Sequence, residues 1–514
     1  MKKFKLTSIA ALTALMILSG CAGSKKTKVI FWTGFGGKIN GVLEPLLAEY
    51  QARPENADIE IDYTTKGGYP NLYQAISLSV SNEEYPHIAN GYPDHFATYL
   101  SSNILLSLDG FINSEVEGIG VDLSDFHQAY LKENQEMAYY RDPNTGVPDK
   151  TKPITVGLPF NKSTEIMIAN QTFFDVMALY YDENVVIPKT WDQLDTVGTR
   201  IIELMTEKNI FGNVLLKDGT VVLKENVPTS EDANYDAFAE TVAVDFRTVK
   251  KDIFRPISWD STENFFITAV RQWGGTYTEM GSDITKGYVR FDSAETRAAL
   301  TYFKESYQKR IFGLPSSFGT DQFASKAFKK GECVLTISSS AGADENVPDG
   351  SVEFPFRQSS NEIPYKFADK KYVISQGTNL ALFDRGDAKV KTEAWKLLRY
   401  LTTEVNDRFG RDTSYFPVTK TMQDSEIYRE FLDGDADEKG YTGRQRAIQD
   451  TAILNNDVYD DPTEAWLKFT DPGFEGSAFI REEVGSIMDK LFIGGKTPDQ
   501  VIAEAYSKLS KYVE

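Results

Sequence analysis

Cysteine, histidine and basic residues are all scarce in this chain of 514 residues. Its cysteines are Cys21 and Cys333, and its three histidines are His87, His95 and His127. Two thiols allow one disulfide at most and exclude a disulfide framework. They also exclude the Cys-rich zinc sites, and three histidines leave little for His-based metal chemistry. Bases number 55 against 75 acids, a formal net charge of -20. Six of the bases (Lys2, Lys3, Lys5, Lys25, Lys26 and Lys28) fall in the first 28 residues, which hold no acid. The remainder sets 49 bases against 75 acids. Such a body repels phosphate backbones over long range, which argues against a nucleic-acid partner. Beyond residue 18 no apolar run approaches the ~20 residues that span a bilayer.

What remains is globular. Hydrophobic residues make up 41% and aromatic residues 12%, which excludes a disordered or collagen-like chain. At about 100–200 residues per domain the length implies two to four domains.

The N-terminus reads as an address. Met1 to Lys5 is basic, Leu6 to Leu18 is apolar, and Leu18-Ser19-Gly20-Cys21 follows. An apolar run of this length fits a signal segment. The cysteine stands where the bacterial lipobox places the thiol that receives a lipid, so the sequence resembles a lipoprotein with residues 1–20 removed. Residues 21–28 then form a tether. The expected location is extracytoplasmic, anchored to the cell membrane through Cys21.

In the body, Val29–Trp32 predicts a strand, Thr33–Gly37 a loop, and Val42, Leu43, Leu46, Leu47 and Tyr50 a helix. Ile59, Ile61 and Tyr63 alternate as a second strand that ends at Gly67-Gly68-Tyr69. Leu72, Ile76, Leu78 and Val80 predict another helix, and His87–Tyr92 a third strand. This order implies an α/β fold with parallel strands, whose following loops line a ligand crevice. The loops are 33–37, 66–70 and 92–95. Further strands are expected near 156–169, over 331–337 and over 375–383. Helices are expected at 265–273, 294–308, 390–407, 478–492 and 498–512. Thr190 is expected to cap the helix that begins at Trp191. Residues 212–235 read as a polar excursion.

Several segments, in this order, resemble the extracellular solute-binding proteins of ABC importers, the maltose-binding-like carbohydrate family. They are Asn161–Asn170 with Phe173-Phe174, Pro188–Leu194, Gly331–Gly342, Ala394–Leu401, Tyr415–Lys420 and Gly494–Pro498. The resemblance implies a periplasmic-binding-protein-like fold of type II: two α/β lobes joined by a hinge, with the ligand cleft between them. Crossings near 160, 372 and 414 would divide the chain into 29–160 plus 373–413 and 161–372 plus 414–514. It implies no catalysis and no cofactor. Its expected partners are a small carbohydrate, polyol or glycerol-phosphate ligand and the permease subunits of an importer, with the chain acting as a monomer.

Within that family the chain resembles the glycerol-3-phosphate-binding proteins through Gly67-Gly68-Tyr69, Pro159–Thr164, Gly331-Glu332-Cys333 and Ser338–Ser340. This implies ligand contacts at Tyr69, Ser163, Ser339 or Ser340, Gly377, Tyr415 and Arg481. The subfamily's acid after the third strand falls on Pro93, with Asp94 one step along. Its Trp-bearing helix is echoed by Trp273-Gly274-Gly275.

A sugar or polyol presents hydroxyls and a weakly apolar C–H face. A site for one needs rings together with acids, amides or backbone groups. Trp32, Tyr69, Tyr92, Trp259, Trp273 and Tyr415 are candidate rings, each also explicable as core packing. Gly37 lies at the end of the first crevice loop. Arg481 is the candidate phosphate fork, or a surface arginine beside Glu482 and Glu483. Asp433–Asp437 starts like a calcium loop, but Glu438 replaces its turning glycine and Arg444 its closing glutamate, so no metal is expected. A surface glycosidase or polysaccharide-capturing adhesin is the other class to weigh. A glycosidase needs two carboxylates flanking the scissile bond; among 75 acids such pairs are not informative.

Overall fold

The computed structural model describes residues 26–141, 145, 147–281, 284–319, 323–350 and 352–514. Cys21 and the address before it lie outside the described residues.

The N-terminal part alternates as its periodicity predicts. Strands Thr27–Thr33, Ile59–Thr65 and Ile88–Gly91 are separated by helices Gly37–Ala52 and Tyr69–Ser79, and helix Pro93–Ser101 follows. The first strand pairs in parallel with both others. Its residues alternate between two faces. Val29 and Phe31 are buried against Leu43, Leu47 and Leu397, while Trp32 packs on the other side with Leu72, Ile76 and Phe96. A period of two on one strand therefore builds two core layers.

The second half has its own parallel strands, Ile257–Trp259, Phe312–Gly313 and Leu335–Ser339. Its large core includes Ile166–Ala169, Trp191, Trp259, Phe265, Phe303 and Val484. Two long strands join the halves. Leu158–Asn170 is buried along its whole length and runs antiparallel to Lys371–Leu382. The sheet order is Phe312–Gly313, Ile257–Trp259, Leu335–Ser339, Leu158–Asn170, Lys371–Leu382, Ile88–Gly91, Thr27–Thr33, Ile59–Thr65. The two central strands thus pair with each other in mid-sheet and with a different half on either side. This is the expected fold: two α/β lobes around a shared crossing.

Between Thr378 and Asn379 the central ladder shifts register. Gly377 has φ +89, and a Cβ there would sit 1.8 Å from the Asn161 carbonyl oxygen. Only glycine fits both the left-handed backbone and that approach.

Some expectations need correction. The strand expected over 331–337 is Leu335–Ser339. Gly331, at φ +77, instead turns the chain after the short helix Ser325–Lys329. The helix expected over 390–407 is two helices, Ala388–Thr403 and Asn406–Thr413, with Asn406 Nδ2 donating to the Phe160 carbonyl. The excursion at 212–235 carries strands Val214–Leu216 and Val221–Val222, which join Val242–Asp245 in a separate small sheet. Thr190 caps its helix as expected, accepting from Gln193 N at 3.1 Å.

Candidate functional site

The three crevice loops converge. Gly67 and Gly68, at φ +73 and +126, turn the chain into helix Tyr69–Ser79. A Cβ on Gly34 would meet Tyr69 at 2.9 Å, so the bare glycine lets that ring settle over the first loop. The Tyr69 ring lies 6.4 Å from Phe35 and 5.1 Å from Tyr92, edge-on to both. Tyr92 in turn meets His95 at 5.7 Å.

A hydrogen-bond chain supports this cluster from beneath. Gly34 N donates to Asn90 Oδ1 at 3.1 Å, and Asn90 Nδ2 to Thr378 Oγ1 at 2.9 Å. Thr378 donates to Asn161 Oδ1, whose amide reaches the Tyr69 hydroxyl at 3.4 Å. Tyr415 joins the same group. Its ring stacks on Phe409 at 5.9 Å, and its hydroxyl interacts with the Tyr69 hydroxyl and the Asn161 side-chain amide. Burial, reinforced by the neighbouring Tyr415 and Tyr92, pushes the Tyr69 phenol well above its ordinary value. All three tyrosines stay protonated and can donate.

The crossing strand supplies the next layer. Ser163 Oγ lies 3.4 Å from Ser339 Oγ. Ser340 is fully buried, and its hydroxyl accepts from Thr164 N at 3.1 Å. Of the two aligned serines, Ser339 therefore faces Ser163, while Ser340 is engaged by the backbone. Lys162 is buried, pairs with Glu133 and donates to the Gly377 carbonyl at 3.3 Å. Glu133 also accepts from Asn379 and Thr470. Gly377 belongs to this hinge network.

The other lobe contributes acids and one arginine. Arg481, in helix Ser477–Phe492, donates to Asp471 Oδ2 at 3.0 Å and to Asn264 Oδ1. Burial alone would lower its affinity for its proton. Asp471, Tyr277, Asp94 and Glu263 outweigh this and hold it above the ordinary value. Asp94 in one lobe and Arg481 in the other thus feel each other's charge. Glu165 is 1% exposed and accepts from Trp259 Nε1 at 2.8 Å, while its second oxygen has no partner. Burial pushes its carboxyl up to about 7, against the lowering effect of Trp259, Asn264 and Arg481. Burial likewise raises Asp260 to about 7. Burial raises Asp471 too, and one of its oxygens is also unpartnered.

The structure therefore groups Tyr69, Ser163, Ser339, Gly377 and Tyr415, and it links Asp94 to Arg481. Trp32 stands apart on the other sheet face, with Lys66 Nζ 3.6 Å from its ring centre. Trp273 packs between Tyr302 and Phe303 at 5.4 Å from each. Trp259 stacks between Trp191 and Phe265 in the core. Gly37 is exposed at the start of helix Gly37–Ala52. Asn161, Glu165, Asn264 and Asp471 escaped the sequence reading. Asn161–Glu165 was visible as a polar run inside an otherwise apolar strand, and Asn264 and Asp471 had no such signal.

Comparison with known proteins agrees with this architecture. UgpB from Mycobacterium tuberculosis, solved in complex with glycerophosphocholine, superposes with TM-score 0.64 at 15% identity, covering 95% of this chain and 98% of that one. The substrate-binding protein Lmo0181 from Listeria monocytogenes, in complex with cycloalternan, gives the same four values. Maltose-bound MalE3 from T. maritima gives 0.60 at 14% identity, covering 94% and 99%. No curated protein sequence matches the chain. These neighbours are binding proteins, and no helix among the described residues is long and apolar enough to cross a membrane. The profile of bacterial extracellular solute-binding proteins matches residues 46–430, three quarters of the sequence, and the chain belongs to that family.

Proposed function

We propose that this protein is the lipid-anchored receptor of an ABC importer. It captures a carbohydrate, a polyol or a glycerol-phosphate compound by closing its lobes and hands it unchanged to the membrane permease. The lobes are 29–160 plus 373–413 and 161–372 plus 414–514, and the lipid is on Cys21. One observation carries the reading: protonated Tyr69 and Tyr92 beyond one lobe's strands, joined by Tyr415 after helix Asn406–Thr413, are set with carboxylates, serines and Arg481 from the crossing and the other lobe. Rings suit a C–H face, and acceptors suit hydroxyls. Contacts from both lobes favour the closed state. The hydroxyl-rich ligands held by the three neighbours support the same class.

A thermal-shift screen over sugars, polyols and their phosphates tests this, since a ligand specific to the folded state raises apparent stability. A hit recovered unaltered, with compaction in solution scattering, supports the reading. Hydrolysis of the hit, or binding without compaction, rejects it. Arg481→Ala separates the ligand arms. A much larger loss for phosphate esters than for neutral sugars supports phosphate, and equal losses reject it.

A further inference from the structure

At the pole of the second lobe away from the cleft lies a pocket of about 280 Å³ lined by Arg255, Lys304 and Arg310, with Tyr307 and Phe492 among its walls. Arg255 and Arg310 each stand two residues before parallel strands Ile257–Trp259 and Phe312–Gly313. The pocket is therefore at the opposite strand ends from Trp259, Asp260 and Ser339.

Three observations single it out. First, the three bases lack acid partners. In a chain with 20 more acids than bases, none of them forms an ion pair with a carboxylate among the described residues. Arg255 Nη1 is engaged only by the carbonyl oxygens of Asp252, Ile253 and Phe254, at 2.9–3.2 Å. Lys304 Nζ donates to the Lys496 and Gly495 carbonyls.

Second, Arg255 is only 9% exposed, and its Nε–H has no partner. A buried donor left unpaired is costly unless something else accepts from it. Burial lowers the proton affinity of this guanidinium; Tyr307 raises it, Arg310 lowers it further, and Asp252 raises it least.

Third, Arg310 has φ +64 just past the helix Ala294–Gln308. Glycine is the residue that accepts this left-handed position freely. Here an arginine holds it, next to the other two bases.

We propose that this pocket binds a phosphate group, as inorganic phosphate or a small phosphate monoester, or as the headgroup phosphate of an anionic lipid. Arg255 and Arg310 supply directional N–H donors that suit tetrahedral oxyanions, and Lys304 a point charge. The volume admits a phosphate with a few attached atoms and is small beside drug-sized ligand pockets. The site is separate from the cleft and does not depend on the ligand proposed for it.

The test titrates the full chain with inorganic phosphate by calorimetry at constant ionic strength. Arg310→Gly is the key variant, because it removes the charge while relieving the backbone. Lys304→Gln is the second. The expected result is one phosphate per chain, weakened at least tenfold by either substitution, with the unfolding midpoint of Arg310→Gly unchanged or raised. A parallel arm measures cosedimentation with phosphatidylglycerol vesicles against phosphatidylcholine vesicles. Selective retention that Arg310→Gly abolishes, without binding of free phosphate, supports the pocket and assigns the lipid as the source. Equal behaviour of the parent and Arg310→Gly in both arms overturns the proposal. So does phosphate binding that Arg481→Gln removes and Arg310→Gly spares, since that places the anion in the cleft.

Discussion

Lys38 and Asp344 form an ion pair from one lobe to the other. Lys38 lies in the first turn of helix Gly37–Ala52, whose apolar face builds one core, and Asp344 follows Ala343, which packs in the other. The Asp344 side chain is fully buried and is also gripped by Arg444 through Nε at 3.0 Å and Nη2 at 2.6 Å. Opening the lobes breaks the first pair and spares the second. Replacement of Lys38 by Met should therefore leave folding stability nearly intact while favouring open forms. Ligand affinity should fall about five- to tenfold, equivalent to about 1–1.4 kcal/mol. Scattering of the ligand-free variant should give a larger radius of gyration. An unchanged radius and affinity would remove the latch role.

Gly377→Ala should be severely destabilising, by about 3 kcal/mol or more. The left-handed backbone and the 1.8 Å approach to the Asn161 carbonyl act together. Urea unfolding measures this directly, and a loss below about 1 kcal/mol would show that the crossing can relax.

The tyrosine cluster separates ring from hydroxyl. Tyr69→Phe keeps the edge contacts to Phe35 and Tyr92 and removes one donor. About tenfold lower ligand affinity is expected, the effect of one hydrogen bond. Tyr69→Ala should lose at least ten times more. If the two variants bind equally well, the ring contributes nothing to the ligand face.

The contribution of Glu165 and Asp260 to stability should fall as pH rises from about 4 to about 7. Burial raises Glu165 from 4.5 to about 7 and Asp260 from 3.8 to about 7. Below the ordinary values both states hold these protons, so the pH has no effect through them. Between the ordinary values and 7 the unfolded chain releases protons that the folded chain retains, and stability declines by at most about 1.4 kcal/mol per pH unit for each group. Above 7 their contribution is constant. Glu165→Gln should make the decline shallower between pH 5 and 7 in chemical denaturation. An unchanged slope would show that Glu165 ionises normally in the fold.

Much of the first lobe was legible because its strands and helices alternate with clean periods. The strand Ile59–Thr65 and the helix near Leu43–Tyr50 emerged where their side chains pointed. The strand expected from Gly331 begins at Leu335, because a left-handed glycine reads the same in sequence whether it opens a strand or ends a helix. Tyr69 and Tyr415, expected beside a turn and a hinge, fall in one cluster. Trp32 lies on the face of its strand opposite Phe31, because neighbouring strand residues point to opposite faces. The partners of Arg481 come from segments more than 200 residues apart, Asn264 and Asp471, and no local pattern links them.

The paired strands Leu158–Asn170 and Lys371–Leu382 have one further consequence. Neither half is tied to the other by a slack cord. Both grow from the same ribbon, with its kink at Gly377. Separating them means twisting that ribbon as a unit, which confines the motion to essentially one angle. The size of the gate and the outline offered to any docking surface are then two readings of a single dial.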